Sequence, residues 1–183
     1  FEISKKVFDN VIEVIETGKD KFDDGFKPII YNDDSFNIDK HQEIPEADLI
    51  FSCPPYWNLE KYPSEPGQLS DIEDYNTFLE RFQQIMNKCC DKLKDNGFVC
   101  LVIGDFRKDD EFVSLDSDII TTMKKINNIV LWDKVILQNT NFGQASRKFG
   151  AIKHKRITSK VSEYLLVFKK VRCCLIYWHS SRQ

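Results

Sequence analysis

The sequence predicts an α/β fold: a mainly parallel sheet covered by helices on both faces. Three observations carry this. Short apolar runs of strand length alternate with amphipathic segments of ten or more residues. The runs are nearly continuous in apolar residues, as in strands buried on both sides. Three runs end in turn residues, Asn32-Asp33-Asp34-Ser35, Ser52-Cys53-Pro54-Pro55-Tyr56 and Gly104-Asp105. In such sheets ligands sit at the carboxyl ends of strands, so these three ends are expected to share one crevice.

Residues 4–18 place Val7, Val11, Val14 and Ile15 at helical spacing, with Ser4 as N-cap and Gly18 at the end. Pro28-Ile29-Ile30-Tyr31 reads as a short strand stopped by the turn at 32–35. Ala47 to Ser52 is a second strand, ending at a Pro-Pro turn, and residues 58–71 read as a loop. From Ile72 to Lys94 the apolar residues recur at three and four, which predicts a long helix closed by Asp95-Asn96-Gly97. Phe98 to Ile103 is the most strand-like run. A helix near 117–126, a strand near 130–137, a basic loop over 139–161 and a last strand over 163–169 complete the order. Residues 171–183 depart from this pattern as an atypical tail.

With 42% hydrophobic and 30% charged residues among 183, the chain has ordinary globular composition, enough for one domain with a sizeable core. Fourteen Phe argue against disorder. No apolar run approaches the roughly 20 residues of a membrane span, and a cytoplasmic protein is expected. The six cysteines lack metal-ligand spacing, so no metal is expected and reduced thiols are the reading for a cytosolic chain. Net charge is −3, yet between Asp133 and Glu163 no residue is acidic, while Lys134, Arg147, Lys148, Lys153, Lys155, Arg156 and Lys160 fall there. That asymmetry marks a local anion-binding surface, the alternative being a solvated loop.

The strongest chemical signal is Pro54-Pro55-Tyr56 after a buried-strand pattern. Two prolines fix φ and remove two donors, which leaves a rigid turn with carbonyls free to accept. Such a carbonyl can bind an exocyclic amine, and a tyrosine can stack on a flat base. The alternative is a turn whose Tyr packs on the rim.

The stretch DLIFSCPPYWNLEKY, followed by a long helix and FVCLVIGDFR, resembles the amino-group DNA methyltransferases of the adenine-N6 and cytosine-N4 type, in particular phage-type and related bacterial DNA methylases. Their motif is Asp, Asn or Ser, then Pro-Pro, then Tyr, Phe or Trp. The resemblance covers roughly residues 1–170. It implies a Rossmann-like domain of the class I S-adenosylmethionine-dependent type, acting on DNA with S-adenosylmethionine as methyl donor and without an obligate protein partner.

By that resemblance Cys53, Pro54, Pro55 and Tyr56 form the catalytic turn, with Tyr56 stacking on a flipped base and the Pro54 carbonyl accepting from its amine. Cys53 departs from the pattern, because thiol sulfur is a weak acceptor. A cysteine nucleophile is the competing reading of that position. Glu2 would bind the cofactor ribose, or else be a frayed terminal residue. Asp34 and Ser35 would lie beside the adenine, or else form an Asx turn or helix cap. Asp105 and Arg107 would orient the substrate, or else belong to an ordinary Gly-Asp turn. Arg147, Lys148, Lys153, Lys155 and Arg156 would contact DNA phosphates. The glycine-rich cofactor loop that the family carries after its first strand is not found, so a partial domain lacking its first strands is expected. Two other readings stay open: an inactive Rossmann-like DNA-binding module, and an RNA or protein-amide methyltransferase.

Overall fold

The computed structural model describes residues 29–59, 64, 66–138 and 162–172. The four-stranded sheet has the order β1 (Ala47–Ser52), β2 (Leu93–Ile103), β6 (Ser162–Lys170), β5 (Ile129–Gln138). β1 and β2 pair in parallel, and β6 runs antiparallel to both β2 and β5. Three of the four strands therefore share one direction, and the last strand of the chain inserts between two of them against it. A parallel partner for β5 would need a crossover; the reversed strand instead enters from the opposite end of the sheet.

Helix α1 (Tyr75–Asp91) and helix α2 (Leu115–Met123) pack on one face of this sheet and on each other. In α1 the spacing of Phe78, Phe82, Ile85, Met86 and Cys90 builds a single apolar stripe, and all five are buried. It meets Val99, Leu101 and Ile103 of β2 and Leu166 and Phe168 of β6, which alternate along their strands as a one-sided face requires. Fully burying side chains of this size contributes about 1.5–3 kcal/mol each, so this layer is the core. On the opposite face Leu49, Phe51 and Trp132 are exposed among the described residues, at 55%, 65% and 60%. The helix expected over 4–18 lies outside the described residues.

Several boundaries differ from the sequence reading for local reasons. The long helix begins at Tyr75 rather than Ile72, because the Asp74 side chain accepts from the Thr77 N–H at 2.7 Å and caps it. It ends at Asp91 rather than Lys94, because Leu93 belongs to β2 and is fully buried. Asp95-Asn96-Gly97 therefore lies inside the strand, with Asn96 at φ +64°. No strand forms over 29–31; a short 3-10 helix, Ser35–Lys40, follows instead. A hairpin that the periodicity did not reveal, β3 (Phe106–Lys108) and β4 (Glu111–Val113), follows β2. Its two-residue turn, Asp109-Asp110, has both φ angles positive, the geometry that matches strand twist.

Candidate active site

The turn after β1 lies at the carboxyl edge of the sheet. Pro54 is buried, Pro55 and Tyr56 are half-buried, and Cys53 is exposed and reduced. Tyr56 packs its ring against the core, and its phenol O–H donates to Glu163 Oε1 at 3.0 Å. Burial, then the Glu163 carboxylate, pushes this phenol well above the ordinary tyrosine range, so it stays a donor.

Trp57 anchors the turn. Its φ is +55°, a conformation that costs a bulky residue about 1–2 kcal/mol. Three contacts offset that cost. The indole N–H donates to the Ile72 carbonyl at 2.8 Å, the ring meets Tyr75 edge-on at 5.1 Å, and Lys108 Nζ sits 3.5 Å above it. Lys108 also donates to Asn58 Oδ1 at 3.0 Å. Hairpin, helix and turn are thus tied through one indole, which leaves Tyr56 little freedom. Trp57 has no role legible in the sequence, since its positive φ leaves no sequence signal.

Of the two candidates after β2, Asp105 turns inward. It is 9% exposed, and its Oδ1 accepts the Asp116 N–H at 3.1 Å at the start of α2. That is a helix-capping contact. Arg107 is exposed on the hairpin, its guanidinium 5.4 Å from the Phe112 ring and its Nη1 donating to the Asp110 carbonyl at 3.3 Å.

Lys134, grouped by sequence with the basic stretch, forms an ion pair with Asp116, which is 3% exposed. Burial alone would raise the Asp116 carboxyl, but hydrogen bonds from Lys134 and Ser114 outweigh it and hold the group below the usual carboxylate range. The hydrogen bond to Asp116 raises Lys134. Asp116 therefore contributes stability above its unfolded value, about pH 4, and loses it as pH falls through the lower folded value. Lys134 contributes below its unfolded value and loses that contribution as pH rises through the higher folded value. Urea midpoints should accordingly fall on acidification below about pH 4. Asp116→Asn should flatten that fall and lower stability at neutral pH by about 1–3 kcal/mol. An unchanged acid limb would contradict the ion-pair assignment.

Of the cofactor candidates, Asp34 and Ser35 lie at the start of the 3-10 helix. Asp34 Oδ1 accepts the Phe36 N–H at 2.9 Å as the cap of the 3-10 helix, and Oδ2 lies 3.6 Å from Arg81 Nη2. Gly67, at φ +89°, crosses so close that a Cβ there would collide with Asp34 Oδ2. Asp34 is thus the Asx-type cap that the sequence also allowed. Ser35 opens the same 3-10 helix. This segment is fastened to α1, where Phe36 lies between Arg81 and Lys88, at 3.4 and 3.7 Å from its ring centre. The motif turn and the end of β2 do converge, through Trp57 and Phe106 with ring centres 6.3 Å apart. Glu2 and the basic residues Arg147, Lys148, Lys153, Lys155 and Arg156 lie outside the described residues. Among the described residues, Asp34 and Ser35 are thus taken up by the 3-10 helix and its cap.

The Pro-Pro-Tyr turn thus stands at the end of a strand that pairs in parallel within an α/β domain. The chain belongs to the N6/N4 methyltransferase family, described as DNA methylase, whose model matches residues 47–173. No curated protein matches it. Among solved structures it is similar to a candidate DNA modification methylase from Thermus thermophilus. The selenomethionine form is 21% identical over 75% of this chain and 50% of that one, with a TM-score of 0.54. The form complexed with S-adenosyl-L-methionine is 25% identical over 75% and 53%, with a TM-score of 0.51. The chain thus spans about half the length of that protein. Among the described residues no helix is long and apolar enough to cross a membrane.

Proposed function

We propose that this chain carries the amine-binding part of an enzyme that transfers a methyl group from S-adenosylmethionine to an exocyclic amino group of a DNA base, adenine N6 or cytosine N4. The observation that carries the reading is the Pro54-Pro55-Tyr56 turn, rigid by its prolines and held through Trp57 and Glu163, in a chain of the DNA methylase family. Tyr56 stacks on the target base. Backbone carbonyls of the turn accept from the amine, which raises electron density on nitrogen and holds it in line for attack. S-adenosylmethionine, present in one structure of the Thermus protein, supplies an electrophilic methyl on a sulfonium sulfur when bound. The cations over 147–156 neutralise DNA phosphates.

The test is transfer of labelled methyl from the donor to DNA, followed by digestion to nucleosides. Label is expected on N6 of adenine or N4 of cytosine, and its position separates the two substrates. Label on cytosine C5 would instead favour Cys53 as a nucleophile.

A further inference from the structure

The family motif begins with a side chain that accepts well from an amine, and position 53 here is a cysteine. The topology brings another carboxylate to the same edge. Because β6 runs against β1 and β2, its first residues lie where those strands end. Tyr164 pairs with Ile103, the last residue of β2, and Glu163 stands one residue further out. The Tyr56 side chain reaches from the turn after β1 to Glu163 on β6, two strands away, and donates its O–H to that carboxylate at 3.0 Å. The Cys53 thiol interacts with the same phenol.

Among the described residues, Asp105, Asp116 and Asp118 are engaged elsewhere. Asp105 caps α2, Asp116 holds Lys134, and Asp118 accepts the Tyr75 hydroxyl at 2.7 Å.

We propose that Glu163 accepts a hydrogen bond from the exocyclic amine of the target base, in place of the acceptor that Cys53 does not provide. This rests on the amino-methyltransferase reading above. A carboxylate has two oxygens and about four lone-pair sites, so accepting the Tyr56 phenol leaves capacity for an amine N–H. One residue then sets both the ring that stacks and the group that takes the amine, and a bond to an ionised acceptor is roughly twice as strong as a neutral one. As the nitrogen lone pair forms the N–C bond, the electron pair of the donor's S–C bond stays on sulfur. The nitrogen gains positive charge, which the carboxylate stabilises, and its proton passes to the carboxylate and then to water.

The test compares the wild type, Glu163→Gln, Cys53→Asp and the double variant in the complete protein. Two readouts are taken: single-turnover methyl transfer, and affinity for DNA carrying either the unmodified target base or an analogue without the exocyclic amine. Glu163→Gln should slow transfer by about 10- to 100-fold, the worth of a hydrogen bond to a charged group. It should also erase the preference for the amine-bearing base while leaving the thermal midpoint unchanged. Cys53→Asp should restore most of the rate in the Glu163→Gln background. A wild-type rate and preference in Glu163→Gln would overturn the proposal and leave the methyltransferase reading standing. So would a loss that Cys53→Asp does not rescue, since that is what a purely structural Glu163 gives. Absence of transfer by the wild type would overturn the reading and the proposal together.

Discussion

Truncating Tyr56 to Ala is expected to slow methyl transfer to DNA by about 10- to 100-fold, since stacking of one base on an aromatic ring is worth roughly 1–3 kcal/mol and each 1.4 kcal/mol is tenfold in rate. The ring and the hydroxyl contribute separately. Tyr56→Phe keeps the stack and loses only the bond to Glu163, so its loss should be about fivefold, from a hydrogen bond worth about 1 kcal/mol. The order wild type, Phe, Ala is the signature of a stacking residue. Equal losses in Phe and Ala would instead point to the phenol oxygen as the group that matters.

The largest stability effect is expected at Trp57. Truncation to Ala removes a side chain only 9% exposed, together with its hydrogen bond to the Ile72 carbonyl, and should cost about 3–5 kcal/mol in urea unfolding. Trp57→Gly should be no worse than Trp57→Ala. Glycine ordinarily costs about 0.5–1 kcal/mol more than alanine through backbone entropy. Here it adopts φ +55° without the penalty of about 1–2 kcal/mol that a Cβ brings. A glycine variant clearly weaker than alanine would show that the turn does not keep its left-handed residue in solution.

The parts legible in the sequence are those set by periodicity and by proline. The apolar stripe of α1 and the runs that became β1 and β2 follow from side chains meeting one core face, and Pro54-Pro55 announces a turn wherever it stands. The reversed direction of β6 was not legible, because a strand's apolar pattern reads the same in both directions. That reversal is what brings Glu163 to the site edge, so the residue went unnoticed although Glu163-Tyr164 opens a plain strand pattern. The partners of Asp105 and Lys134 are not legible in the sequence for a related reason. A charged residue near a turn suggests solvent or substrate, and only the tertiary placement of α2 shows that the Asp105 carboxylate accepts an N–H of that helix and that Lys134 meets a buried carboxylate. At Asp34 sequence left two readings, and the close approach of Gly67 with the Phe36 N–H bond corresponds to the helix cap. The hairpin over 106–113 was missed because three-residue strands are too short to display alternation, and its turn uses two aspartates rather than glycine.

The central claim is that the turn at 54–56 presents a DNA amine for methylation. Its most direct measurement is isotopic: labelled methyl from S-adenosylmethionine, a DNA substrate, the complete protein, and nucleosides resolved after digestion. Label on an exocyclic amine, strongly reduced in Tyr56→Ala, is the predicted result. Salt-sensitive DNA binding with no transfer would contradict it and would identify an inactive DNA-binding module that retains the fold.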